Sequence, residues 1–285
     1  MNNPIKVREH SATSFFRPVI PVTALMVACL VGATARAQLI DNFNTDDLAN
    51  YTTTIILAQN ADGPMNFAIS GGALQVSRTF SSGNNPQQDL FLRGDYSLGV
   101  GQTLYVDITS LATTNNPVTD FGIAIAAQTN PTPAIYTGAN VDVRSNMVSV
   151  EVKPGSSEIG ANFFDGHTQV FSSHNTTSSQ GNNFLSLTGL WISEPSAQTF
   201  SVGYVVGGTN YTYKTFAMNN GSAGDASIGA AVGFFADIRP GAGTTLTSPV
   251  LLDNLQIVPE PSTMVLMGLG LGFGALLLRR KRAGN

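Results

Sequence analysis

The sequence predicts an all-β fold in which one large domain forms a two-sheet sandwich. Short runs rich in Val, Ile, Thr, Phe and Tyr are separated by Gly, Asn and Ser turns. Several of these runs alternate apolar with polar residues, and helical periodicity is absent outside the two ends of the chain. About a dozen or more strands of this kind need two packed layers to bury their apolar faces.

Residues 1–37 read as a secretory signal peptide. Lys6, Arg8 and Arg17 precede an apolar stretch at 19–33, and Ala35-Arg36-Ala37 supplies an A-x-A cleavage site. The Sec translocon and signal peptidase are therefore expected partners, and the mature chain is expected to begin at Gln38. The single cysteine, Cys29, falls inside the leader, so disulfides cannot hold the mature domain together.

The body, residues 38–258, opens on Leu39-Ile40-Asp41-Asn42-Phe43 and closes on Leu251-Leu252-Asp253-Asn254-Leu255-Gln256-Ile257. Both segments place apolar residues around an Asp-Asn pair, and both are expected as strands lying close together at one sheet edge. Between them, residues 51–57, 74–76 and 90–92 read as strands. In 104–109, Leu104, Val106 and Ile108 share one face, the signature of a half-buried strand. Phe121, Ile123 and Ile125 repeat it. Residues 141–144 and 147–152 are expected to pair as a hairpin about Ser145-Asn146, and residues 200–206 and 211–216 as another about 207–210. Residues 184–192 and 230–237 complete the strands. The polar segments 81–85 and 172–183 are expected as surface loops.

The third region, residues 259–285, begins Pro259-Glu260-Pro261. Each proline fixes its own φ and extends the residue before it, giving a stiff dipeptide that an enzyme can grip. An apolar, glycine-interrupted run at 264–278 follows, long enough with its flanks to be a single transmembrane helix. Arg279, Arg280, Lys281 and Arg282 should hold its end on the cytoplasmic side. This order resembles the PEP-CTERM sorting signal of Gram-negative bacteria. The resemblance implies that an exosortase, a membrane-embedded transpeptidase-like enzyme, recognises Pro259-Glu260-Pro261 and cuts near it. It also implies an exported protein, anchored in the inner membrane and then released to the envelope or extracellular matrix.

Charge narrows the function. Residues 38–258 hold six Lys and Arg against sixteen Asp and Glu, a net of about −10, the wrong sign for a phosphate backbone. Nucleic acid is therefore excluded as a partner, and an exopolysaccharide fits better. Phe121-Gly122-Ile123-Ala124-Ile125, Leu190-Trp191-Ile192-Ser193, residues 232–239 and Leu252-Asp253-Asn254-Leu255 together resemble the concanavalin A-like jelly roll. Legume-type lectins, laminin-G-like modules and laminarinase-type glucanases share that fold, so the resemblance implies either glycan binding or glycan cleavage.

Catalysis is not expected. The Glu-x-Asp-x-x-Glu strand of such glucanases is absent, since Glu151, Glu158 and Glu194 begin no such motif. Asp107, Asp142 and Asp237 read as solvated. His167 is expected in a turn and His174 in a polar loop, and no Gly-x-Ser-x-Gly elbow is present. No cofactor is required; calcium is the one ion the Asp-rich termini suit, through Asp41 and Asp253. Trp191 is expected to pack in the core, with a glycan contact through Trp191 or Tyr136 as the alternative. The expected role is a non-catalytic, surface-sorted matrix or envelope protein; a glucanase-like enzyme and a calcium-dependent adhesion module are the alternatives.

Overall fold

The structure is a computed structural model that describes residues 37–45, 47–59, 63–79, 86–115, 119–130, 136–137, 140–218, 227–239 and 245–260. The leader expected at 1–36 and the tail from 261 onward lie outside the described residues. Among those residues the regular structure is β-strand and short 3-10 turns, with no α-helix.

Every strand pairing is antiparallel, and the strands form two sheets. The first runs β15 (Thr209–Ala217), β14 (Thr199–Val206), β13 (Leu187–Ser196), β6 (Gln102–Ser110), β18 (Leu251–Pro259), β4 (Ala73–Thr79) and β17 (Thr245–Thr247). Beside β18 lies β1 (Gln38–Asp41), and beside β4 lies β3 (Asn66–Ser70). The second sheet runs β12 (Thr168–Thr176), β11 (Glu158–Asp165), β10 (Met147–Lys153), β7 (Thr119–Ala126), β16 (Ala231–Ile238) and β5 (Gln87–Arg93). It continues through β2 (Thr52–Gln59), β9 (Asn140–Asp142) and β8 (Tyr136–Thr137).

Period-two alternation builds the core between the sheets. Phe121, Ile123 and Ile125 from β7 and Val148, Val150 and Val152 from β10 meet Leu104 and Val106 from β6, Leu190 and Ile192 from β13, and Phe200 and Val202 from β14. An aromatic group closes the middle. Phe91 stacks between Tyr51, with centroids 4.5 Å apart, and Phe67, at 4.4 Å. Phe234 meets Phe43 at 5.7 Å and Phe121 at 6.0 Å. The first and last strands meet, with Gln38 facing Ile257 and Leu39 facing Gln256, but not at a sheet edge as expected: β18 lies inside the sheet between β6 and β4, because its apolar residues need partners on both sides.

Two further expectations are corrected. Residues 141–144 and 147–152 do not form a hairpin, because β9 pairs with β2 and β8 while β10 pairs with β7 and β11. Asn146 explains the difference: its backbone carbonyl accepts from Ala127 and its side chain from the Gly166 amide, so it joins the ends of β7 and β11. The polar stretch from 172 is not a loop at its start. It is the second half of β12, which among the described residues has a partner strand on one side only. An edge strand needs few apolar residues, so its composition imitates a loop. The second hairpin stands, with Val206 opposite Thr209 across Gly207 (φ 57°) and Gly208 (φ 79°). Positive φ at both turn positions is the geometry that suits a two-residue hairpin.

Phe234 is fully buried among three aromatic rings. Phe234→Ala should therefore lower unfolding free energy by about 3–5 kcal/mol in a denaturant titration. A loss below ~1 kcal/mol would mean that this aromatic group does not hold the sheets together.

Candidate functional site

The most concentrated polar chemistry lies on the face of the second sheet turned away from the main core. Because Val148, Val150 and Val152 point inward, Ser149 and Glu151 point to this other face. Asp120 and Gly122 take it on β7, Phe235 and Asp237 on β16, and Gly160 and Asn162 on β11. The face is nevertheless dry. Glu151 is 0% exposed, Asp120 2% and Asp237 3%, and farther along it Ile56, Val143, Met147, Phe164 and Phe235 form a second apolar cluster.

Register brings three side chains together. Glu151 faces Gly122 on one side and Gly160 on the other, and Gly160 faces His174 on the edge strand β12. A Cβ on Gly160 would stand 2.4 Å from the His174 ring and 2.6 Å from Glu151 Oε1, so only glycine lets the imidazole lie across β11. His174 Nε2 then sits 3.4 Å from Glu151 Oε1 and 3.5 Å from Asp120 Oδ2. These are ion-pair distances, longer than a good N–H···O bond. Glu151 is held from below: Asn162 Nδ2 donates to Oε1 at 2.8 Å and Ser149 Oγ to Oε2 at 3.1 Å. Beside the cluster, Asp237 accepts from Gln88 at 2.9 Å and from Arg239 on both oxygens.

The electrostatics follow from burial. Asp120 and Glu151, facing the His174 ring, hold its proton and push its pKa up to about 10, so the imidazole is charged at neutral pH. Loss of water raises Asp120 to about 7; His174 opposes that rise, while Asp237 and Glu151 add to it. The cluster is thus an imidazolium lying over two buried carboxyls. One of them, Asp120, also carries a buried Oδ1 without a hydrogen bond. Such a group can trade a proton near neutrality, or lock an edge strand onto its sheet.

This arrangement overturns two sequence readings. His174 is not in a loop, and Asp237 is not solvated. The sequence also gives no weight to Asp120 or Glu151, because a carboxyl on the non-core face of a strand looks the same whether that face meets water or protein. The available signal was Gly122 and Gly160, small residues on the strands flanking Glu151.

The residues expected at sites are placed as follows. Asp41 is buried, accepting from the Phe43 amide at 2.8 Å and from Tyr51 Oη at 3.2 Å, and burial raises it to about 6. Nearby Asp47 faces a guanidinium, Arg93, at 3.7 Å. Arg93 is itself clamped by Asp95 and lies between the rings of Tyr51 and Tyr96. Asp253 accepts from the Asn254 amide, and Asn254 Nδ2 donates to Asp107 at 2.8 Å. Among the described residues, no group of three or more His, Cys, Asp and Glu is arranged to hold a metal ion. Trp191 is 7% exposed and packs over Gly203, on the face of β13 opposite Leu190 and Ile192. Tyr136 lies in β8, where only its backbone is described. A separate depression of about 410 Å³ is lined by Thr113, Ser157, Thr177, Asn182, Asn183 and Leu185, among others.

At the chain end, Pro259 is the last residue of β18 and pairs with Gln102. Glu260 continues the contact: its amide donates to the Gly101 carbonyl at 2.8 Å, and Thr103 Oγ1 donates to its Oε1 at 3.2 Å. Pro261, Arg279, Arg280, Lys281 and Arg282 lie outside the described residues, as does Ala35, whereas Ala37 is exposed just ahead of β1.

Residues 258–282 match the PEP-CTERM protein-sorting motif. The motif marks an exported protein that is anchored at the membrane before processing, and it implies an exosortase as the processing partner. Among the described residues no helix is long and apolar enough to cross a membrane; the apolar segment 264–278 is not among them. No curated protein sequence matches the chain. Among solved structures it is similar to a legume lectin-like domain from Entamoeba histolytica (9% identity, 79% of this chain, 96% of that chain, TM-score 0.45). It is also similar to a glycoside hydrolase family 16 endo-glucanase from Bacteroides ovatus (7%, 76% and 97%, TM-score 0.44). A third is the Bacillus licheniformis β-glucanase (13%, 80% and 100%, TM-score 0.43).

Two measurements test the buried cluster. His174→Gln removes the cation from over two buried carboxyls and should cost about 3 kcal/mol of stability at pH 7. The pH profile should also have a definite sign. Asp41 and Asp89 are raised to about 6, Asp120 to about 7 and His174 to about 10, so the folded state binds these protons more tightly than the unfolded chain. Their stabilisation is complete only below the unfolded values. It is lost as pH rises through 6 and 7 for the carboxyls and on toward 10 for His174. The melting temperature should therefore fall between pH 5 and pH 8 by at least about 2–4 °C, the shift about 1 kcal/mol makes in a domain of this size. A profile rising with pH would refute the assignment.

Proposed function

We propose that this protein is an exported, exosortase-processed surface protein whose sandwich works without catalysis in the extracellular matrix or envelope, by binding a polysaccharide or by building structure. The observation that carries the reading is the junction of β18 with the sorting motif at 258–282. A β-sandwich runs straight into an address for the cell surface, and no further folded element stands between them.

The state of the carboxyls supports a non-catalytic role. A catalytic acid must touch its substrate, yet Glu151, Asp120 and Asp237 are almost wholly buried, and Glu151 and Asp237 already accept hydrogen bonds from neighbouring side chains. An exported β-sandwich with an acidic body and such a buried network suits a durable binding or structural module. No cofactor enters this role.

One observation favours a glycan-cleaving reading. Asp120 and Glu151 each approach the same His174 nitrogen within 3.5 Å, so their nearest oxygens are no more than about 7 Å apart. That ceiling overlaps the ~5–10 Å that separates the two carboxyls of glycosidases. In this reading a substrate would have to displace His174 to reach them.

A glycan array on the purified protein, run with calcium and with chelator, separates these readings when paired with a hydrolysis screen of soluble polysaccharides. Binding without turnover is the expected result. Turnover that disappears in Glu151→Gln or Asp120→Asn would replace it with the enzyme. Intact mass of the protein recovered from envelope or medium should show that residues 264–282 have been removed; a retained tail would make the segment a plain anchor.

A further inference from the structure

We propose that the folded sandwich itself controls access to its sorting motif, by docking Glu260 on the start of β6 through the Gly101 carbonyl and the Thr103 hydroxyl. The proposal rests on the reading of residues 258–282 as a signal that an exosortase processes, and it adds two positioning residues to that reaction, both on the substrate side.

Three observations carry it. Pro259, the first residue of Pro-Glu-Pro, is not in a linker: it is the last residue of β18 and pairs with Gln102. Glu260 is also committed. Its amide donates to Gly101 at 2.8 Å, its carboxylate accepts from Thr103 at 3.2 Å, and the residue is half-buried. Finally, the strand that holds them is not free to swing away. β18 is paired with β6 along one side, and with β4 and β1 along the other.

An enzyme that cuts an extended peptide reads it through backbone hydrogen bonds and side-chain pockets. The backbone N–H of Glu260 is a single donor, and it cannot serve the sheet and the enzyme at once. Its carboxylate, the one charged group of the Pro-Glu-Pro sequence, is turned toward Thr103 in the same way. Productive engagement therefore requires Glu260 to leave Gly101 and Thr103 while β18 as far as Val258 stays in place. The rate of processing is proportional to the small fraction of molecules in which that release has occurred. Thr103 sets the fraction through its hydroxyl and Gly101 through its carbonyl. The contact forms only when β6 and β18 are paired, so the docked state exists only in a folded sandwich.

The test uses the full chain and two variants. Thr103→Val keeps the shape and the strand preference of the side chain but removes the donor, whereas Thr103→Ser keeps the donor. In hydrogen exchange on the detergent-solubilised full chain, the Glu260 amide should exchange at least about tenfold more slowly than in a free peptide of residues 255–265. Thr103→Val should speed that exchange about fivefold, the factor that one net hydrogen bond of this kind makes. In a pulse-chase in cells that contain the exosortase, Thr103→Val should be shortened faster than the unaltered chain by a similar factor, with Thr103→Ser close to the unaltered rate. Exchange of the Glu260 amide at the free-peptide rate would overturn the docking. Thr103→Val shortened at the unaltered rate, or more slowly, would overturn the control of access. Absence of a shortened product from all three chains would remove the processing reading and the control with it, while a protected Glu260 amide would still establish the docking.

Discussion

The position of β18 is the constraint on which the rest of the sandwich depends. It is the last strand of the body, yet it lies inside the first sheet, with β6 on one side and both β4 and β1 on the other. The sheet is therefore incomplete until the chain has delivered residues 251–259. The strand that closes the domain also carries Pro259, so the boundary between body and sorting signal is drawn through a paired strand. Pairing of Gln38 with Ile257 places the expected start of the mature chain beside its last strand. Two cuts expected from the sequence, one by signal peptidase and one by exosortase, thus border neighbouring strands of one sheet.

The second sheet answers a different problem. Its outer face carries three buried carboxyls, and the chain supplies cations from the flanks: His174 from the edge strand for Asp120 and Glu151, and Arg239 for Asp237. Near the N-terminal strand the burial is reversed: the Arg93 guanidinium is the buried group, and the more exposed Asp47 and Asp95 flank it. A body with about ten more acids than bases thus places His174 and Arg239 where acids are buried, and its surface is left acidic. In such a chain the interior needs those cations before any ligand can use them.

Much of the fold was legible because alternation in an antiparallel sheet is a direct record of which face is dry. The buried faces of Leu104, Val106 and Ile108 and of the Phe121 series follow from that alternation, and the two terminal strands do meet, although inside the sheet and not at its edge. What failed has a physical cause in each case. The edge strand β12 carries His174, Asn175 and Ser173, which suit a half-exposed edge and a loop equally well. The segment before β10 looks like a hairpin because Ser145-Asn146 are turn residues. Tertiary pairing with Gly166 and Ala127 decides otherwise. The carboxyl cluster was invisible because an outward-facing Glu151 becomes buried only when the side chains of His174 and Asn162, from neighbouring strands, close over it. The sorting motif was the most legible feature, since its information is carried by local sequence and not by folding.

The clasp of His174 also has a bearing on association between molecules. Among the described residues β12 ends its sheet, and an edge strand is where a strand from another chain could pair. A slip of one residue would turn every side chain of β12 to the opposite face. Ser173 or Asn175 would then stand where the imidazolium stands, and two buried carboxyls would lose their cation. A single charged ring therefore acts as a register pin, making the correct alignment of a polar edge strand far lower in energy than its nearest misalignments. A strand so pinned can stay short of apolar residues, and so resist fibre-like stacking, without losing its place in the sheet.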